Sequence, residues 1–168
     1  MRQRTLTLSL ATVLLVVSCT KSEQVEKPQP EYLAAKDEKL MERAIRKAKA
    51  TQREFVQALQ NSDPNTTGFA IKKPFPTEDT DEHIWLTDVS WDGRRFSARV
   101  NNAPVETKAV KLGDTVKVSP KELSDWMYIE NGVLKGGYTI RVLHYQSSPE
   151  KQKEFLQQVP FSIPPIDF

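Results

Sequence analysis

Apolar residues recur along this chain with three different periods, and each period predicts a different kind of segment. The first is a short dense run from Leu6 to Val17, broken only by Thr7, Ser9 and Thr12. It is too short for a membrane span, which needs about 20 apolar residues. With Arg2 and Arg4 before it and Ser18 and Cys19 after it, it has the form of an export signal over 1–18. The polar stretch that follows, with Ser22, Glu23, Gln24, Glu26, Lys27, Pro28, Gln29 and Pro30, predicts an extended tether over 19–35. The second period is helical. From Asp37 to Gln60, Met41, Ala44, Ile45, Ala48, Gln52, Phe55, Val56 and Leu59 fall on one face at the three-and-four spacing. Lys39, Arg43, Arg46, Lys47, Lys49 and Arg53 occupy much of the remainder, as on a solvated helix face.

From Gly68 the period falls towards two, which predicts strands. Phe69 to Lys72 is a short strand that Pro74 and Pro76 should close, followed by the acidic loop Glu78 to Glu82 and a strand from His83 to Val89. Asp92-Gly93 marks a hairpin, and the returning Arg95 to Val100 puts Phe96, Ala98 and Val100 inward. Val110 to Val118 is a further strand pattern, interrupted at Gly113-Asp114. Ser119-Pro120-Lys121-Glu122 carries the cap, the proline and the glutamate of a short helical turn. Asp125 to Glu130 and Val133 to Lys135 are strands joined by Asn131-Gly132. Gly136-Gly137 then leads to Tyr138 to Leu143, the last expected strand. Ser148-Pro149 opens a helix over Glu150 to Val159 that packs through Phe155, Leu156 and Val159. The proline-rich tail Pro160 to Phe168 should lie extended across the domain. The expected fold over 36–168 is α+β: an N-terminal amphipathic helix on a small antiparallel sheet, open or curled into a barrel, with a short C-terminal helix.

Charge and cysteine count narrow the function classes. Of 168 residues, 24 are basic and 22 acidic; Arg2 and Arg4 leave with the signal, so the mature chain carries no net formal charge. Nucleic-acid binding, which draws on a basic excess, is not expected. Val16-Val17-Ser18-Cys19 resembles the lipobox of bacterial lipoproteins, in which the cysteine is acylated and becomes the first residue. Cys19, the one cysteine in the chain, is the expected lipidation site. Two or three acyl chains anchor a protein to a membrane where one would not. Thr20 stands where an Asp would retain such a protein at the inner membrane. The resemblance therefore implies the periplasmic side of the outer membrane in a Gram-negative cell.

Five fragments occur in order: Glu82-His83-Ile84-Trp85-Leu86, Val100-Asn101-Asn102-Ala103-Pro104, Val110-Lys111-Leu112-Gly113-Asp114, Ser124-Asp125-Trp126-Met127-Tyr128, and Gly136-Gly137-Tyr138-Thr139 leading to Arg141. Together they resemble the bacterial YegJ-like family, a domain of unknown function, across about residues 40 to 145. The resemblance implies one compact domain and brings with it no activity, cofactor or catalytic residue.

The residues themselves carry little recognisable chemistry. No phosphate-binding glycine loop is present, and Gly136-Gly137 precedes a strand pattern rather than a helix pattern. His83 beside Asp81 and Glu82, with His144 elsewhere, supplies metal-ligand types, but two histidines define no site. Ser124-Asp125 has neither a base nor an oxyanion hole in evidence, and Asp125 is expected to pin the turn that begins at Ser119. No cofactor and no catalytic residue is assigned. Trp85, Trp126, Tyr128 and Tyr138 suit either a core or a binding groove. The expected binding surface is Lys121, Asp125, Trp126, Tyr128, Glu130 and Asn131, with the acidic loop nearby, because loops on a rigid scaffold concentrate binding residues. The reading is a non-catalytic periplasmic module for an envelope protein or ligand. A small hydrolase or metal-dependent enzyme using His83 with Asp81, Glu82 or Asp125, and an immunity or stress-protection protein, are the alternatives.

Overall fold

The computed structural model describes residues 37–61 and 63–168. The expected signal segment, Cys19 and the tether lie outside the described residues. Among the described residues no helix is long and apolar enough to cross a membrane.

The helical period is realised as α1, Glu38–Asn61, started by the Asp37 carboxylate accepting from Leu40 N–H at 3.1 Å. Ala44, Ala48 and Phe55 are its buried positions, and the rest of the expected stripe is half-buried. The small alanines let the helix lie close to the sheet. Phe55 then meets Phe69, Phe96 and Trp126 with ring centroids 5.8, 5.8 and 5.7 Å away. Aromatic pairs in tilted or edge-on arrangements at such distances add to the area they bury.

Six strands form one antiparallel sheet in the order β4-β3-β2-β1-β5-β6: β1 Thr66–Pro76, β2 Asp81–Trp91, β3 Phe96–Val100, β4 Thr115–Val118, β5 Asp125–Glu130 and β6 Val133–Gly136. The sheet has two ends, so it is open and not a barrel. Register places Trp126 opposite Ile71, Ile71 opposite Leu86, and Leu86 opposite Val100. Directly opposed residues share a face. This row is therefore one continuous apolar band, and all four residues are buried.

Three sequence expectations are corrected. Pro74 and Pro76 do not close β1; they pair with His83 and Asp81 of β2. The partnership of β1 with β5 stops at Lys72, so beyond it β1 borders no strand on that side. Proline is tolerated at such edges because no ladder donor is missing. The expected strand Val110 to Val118 contracts to Thr115–Val118, because Lys111 to Asp114 form a turn in which Asp114 accepts from Lys111 N–H at 2.8 Å. The third correction is the largest: Tyr138 to Leu143 is not a strand but the start of α2, Tyr138–Gln146. Tyr138 and Val142 are buried one turn apart, a helical spacing hidden by the β-branched and aromatic composition.

The Ser119 turn is a 3₁₀ turn, Pro120–Glu122, in which the Glu122 carboxylate accepts from Ser119 N–H at 2.7 Å. The last helix is α3, Pro149–Gln158, capped by Ser148. Its Phe155 is half-buried, but Leu156 is exposed rather than part of a packing side. In the tail, Ser162 bridges in parallel to Val133 on the free edge of β6, donating to Gly132 O at 2.9 Å and accepting from Leu134 N–H at 3.0 Å.

Gly136 and Gly137 both have positive φ, 64° and 58°, and turn the chain sharply from β6 into α2. A Cβ on Gly136 would collide with the carbonyl and the indole ring of Trp126. Gly136→Ala is therefore expected to lower the urea midpoint far more than Gly132→Ala. At Gly132 nothing lies within 4 Å and only a backbone strain of about 1 kcal/mol applies. Equal midpoints for the two variants would refute the close approach of β6 to Trp126.

Candidate binding cleft

Asp125 opens β5 and is wholly buried. Its Oδ1 accepts from Trp126 N–H at 2.8 Å and Tyr138 N–H at 3.2 Å; its Oδ2 accepts from Thr139 N–H at 2.8 Å and the Thr139 hydroxyl at 2.7 Å. Tyr138 and Thr139 are the first residues of α2, whose orphan N–H groups need acceptors and whose dipole favours an anion. A strand carboxylate thus does the work of a helix cap, where the sequence predicts that Asp125 pins the Ser119 turn. Lys72, paired in register with Asp125, donates to the Thr139 hydroxyl at 3.4 Å and lies 5.5 Å from the Trp85 ring centroid. Burial pushes Asp125 up, while the Thr139 donors and the Lys72 charge pull it back. Burial likewise pushes Lys72 down against the Asp125 charge.

With its N-terminus so held, α2 lies against α1. The Tyr138 hydroxyl is 3.0 Å from Thr51 Oγ1, and Trp126 Nε1 donates to Ala48 O at 2.9 Å. A cleft of about 310 Å³ opens here, lined by Lys47, Thr51 and Glu54 of α1, Tyr128 and Lys135 of the β5–β6 hairpin, and Arg141 of α2. Trp126, Gly136, Tyr138 and the tail residue Asp167 complete its walls. The Arg141 side chain is only 8% exposed, and its guanidinium lies 5.1 Å from the Tyr138 ring centroid. Its Nη1 donates to Asp167 Oδ1 at 3.2 Å, while its Nε is buried without a partner. Burial raises the phenols of Tyr128 and Tyr138, so both enter the site as neutral donors.

The surface expected from the sequence is only partly a surface. Lys121 and Asn131 are exposed, and Glu130 is half-buried with its carboxylate 3.0 Å from Lys135 Nζ. Asp125 and Trp126 are interior, and Tyr128, 8% exposed, reaches the cleft wall. The acidic loop lies beside one part of that surface and far from the other: His83, which follows it, contacts Ser124 at the end of the Ser119 turn, whereas the hairpin turn follows Glu130, which pairs with Thr66 at the end of β1 away from Pro76. Eleven strand residues, roughly 35 Å, separate the loop from the hairpin turn. Glu82 of that loop is engaged by a backbone turn: it accepts from Val105, Glu106 and Thr107 N–H, each at 2.9 Å.

His83 Nδ1 lies 2.9 Å from Ser124 Oγ, a contact between residues 41 apart that the sequence did not suggest. Ser124 is 3% exposed, so a substrate carbonyl cannot reach it in this arrangement. Burial and the Lys72 charge push His83 down, against Asp81. His144, on the last turn of α2, is also pushed down by burial. Among the described residues no three His, Cys, Asp or Glu side chains are grouped to hold a metal. Sequence reasoning missed Arg141, Lys47, Thr51, Glu54, Lys135 and Asp167 as site residues. The available signal was the Tyr138, Arg141, Val142 spacing, which marks a buried helix face once the segment is read as helical.

The architecture is that of a small α+β domain with an open antiparallel sheet and a polar cleft at one edge. The chain belongs to the family described as "Uncharacterized protein conserved in bacteria (DUF2314)", which matches residues 37–163. It is 34% identical over 104 residues to the uncharacterized protein YegJ of Escherichia coli K12, covering 62% of this chain and 67% of that one. It is 35% identical over 88 residues to a putative ankyrin repeat protein of Neisseria meningitidis serogroup B, covering half of this chain and 35% of that one. No solved structure matches the chain.

Asp125→Ala removes the acceptor of four hydrogen bonds and strands Lys72, so a loss of about 3–5 kcal/mol is expected in urea unfolding. A loss below about 1 kcal/mol would mean that the carboxylate does not hold α2. The histidines give a pH prediction. A group whose folded pKa is lowered adds stability above its unfolded pKa and loses it as pH falls through the folded value. Stability should therefore decline between about pH 7 and pH 5, and His83→Gln should flatten part of that decline. An unchanged pH profile in the variant would show that His83 titrates freely.

Proposed function

We propose that the chain is a non-catalytic binding module of the cell envelope, held to a membrane by lipid on Cys19. The module faces the periplasm, at the outer membrane in a Gram-negative cell. The lipobox, its position and the single cysteine support the anchor. One observation carries the binding role: a nearly buried guanidinium, Arg141, faces a cleft walled by two phenols and two lysines. Arginine presents a fixed fork of donors that matches a carboxylate, and desolvation strengthens that pairing. The ligand class is therefore carboxylate-bearing, and a peptide segment of an envelope protein meets it. Glu130, Asn131 and Lys121 extend the surface outwards from the hairpin and the 3₁₀ turn.

Two measurements test the two halves of this reading. Cys19→Ala should release the protein from membranes and abolish labelling by a palmitate analogue; continued labelling and membrane fractionation would sink the anchor. Lys47→Glu with Lys135→Glu, two side chains on the cleft rim, should leave folding intact and abolish partners recovered by pull-down with the lipidated protein. If every partner persists, the cleft is not the binding site, and Lys121, Glu130 and Asn131 become the next residues to replace.

A further inference from the structure

One wall of the cleft already presents a carboxylate to Arg141, and that carboxylate belongs to the protein's own tail. From Ser162, hydrogen-bonded to the free edge of β6, the chain continues to Ile166, Asp167 and Phe168, of which Asp167 lines the cleft. Ile166 and Phe168 pack half-buried against the core, with the Phe168 ring 5.3 Å edge-on from Tyr138. Between them Asp167 meets Arg141 at 3.2 Å. The segment thus presents a carboxylate flanked by two bulky apolar side chains to a buried cation and an aromatic wall.

Its hold is weaker than the site allows. Asp167 is 70% exposed, and an ion pair with one solvated partner is weak because water screens it. One nitrogen of the guanidinium has no partner at all. Beyond Ser162 the tail makes no backbone hydrogen bond among those described, so between Ile163 and Phe168 only side chains bind it. The family match ends at residue 163, so Asp167 and Phe168 lie outside the stretch that defines the domain.

We propose that Ile163 to Phe168 is an exchangeable internal occupant, and that the cleft binds in its place an extended peptide of another protein carrying Asp or Glu beside a bulky apolar residue. The inference rests on the reading of the cleft as a carboxylate site and adds its ligand and its regulation. While tethered, the tail competes at the high effective concentration of an intramolecular ligand. An external peptide must outbid it, so the unaltered chain binds external peptides weakly.

The test uses the full chain and a fluorescent synthetic peptide with the sequence Ile163 to Phe168, followed by anisotropy. Asp167→Asn with Phe168→Ala in the chain weakens the resident segment while leaving the Ser162 pairing in place. This variant should bind the peptide at least about tenfold more tightly than the unaltered chain does. A peptide with Asn in place of Asp should lose about tenfold on the variant chain, as expected for a lost charge-assisted contact. Adding Arg141→Gln should abolish the difference between the two peptides. Equal binding of the Asp and Asn peptides, or no gain in the variant chain, overturns the proposal and leaves the tail as a fixed part of the fold. Should the Arg141→Gln chain not fold, the two-peptide comparison on the variant chain decides alone. Partners lost on Lys47→Glu with Lys135→Glu despite a negative peptide result would keep the binding role and discard only the tail exchange.

Discussion

The structure depends on one buried carboxylate. Asp125 gathers the N-terminal donors of α2, the N–H of its own neighbour and a hydroxyl that also receives Lys72. Bringing an anion out of water is costly, and the cost is offset only where its acceptor positions are filled. Here four hydrogen bonds and the start of a helix fill them. Typical domains are stable by about 5–15 kcal/mol in total, so a network of this kind is a large fraction of what keeps the fold together.

That constraint reaches the cleft through geometry. Fixing Tyr138 and Thr139 on Asp125 sets the rotation of α2 about its axis, and rotation decides which residues look inward. Tyr138 turns to Thr51 and Trp126, and Arg141 comes to lie over the Tyr138 ring. The glycines before the helix serve the same end from the other side. Gly136 lets β6 touch the indole of Trp126, and Gly137 N–H donates to Trp126 O at 2.7 Å. The guanidinium of this buried cation lies over the Tyr138 ring and donates through Nη1 to Asp167, while its Nε stays unsatisfied.

Much of this fold is legible in the sequence because its elements follow local rules. The stripe of α1, the Asp92-Gly93 and Asn131-Gly132 turns, the alternation of β3 and the proline-started helices each show their own period or turn chemistry. What is not legible is non-local. Tyr138 to Leu143 is rich in residues that favour strands, and its helical state is imposed by a cap thirteen residues away in the sequence. Pro74 and Pro76 read as terminators because nothing local says that β1 has lost a neighbour by that point. The cleft suffered most. Its residues come from α1, the hairpin, α2 and the tail, so no short motif contains it, and a misread α2 hides Arg141 at once. The density of motifs around Asp125 and Trp126 instead marked the interior scaffold that positions the site.

Electrostatics makes any recognition under the proposed reading of this cleft short-ranged. With 24 basic and 22 acidic residues the chain carries a net formal charge of only +2 and exerts little long-range attraction, and surface charges are screened beyond about 8–10 Å at physiological salt. Selectivity therefore falls to groups that the ligand touches. With Asp167 in place, Lys47, Lys135 and Arg141 face Glu54 and Asp167; with the tail displaced, three cations face one acid. On the proposed reading, departure of Asp167 leaves Arg141 without its anion, and an incoming acidic side chain restores that pairing.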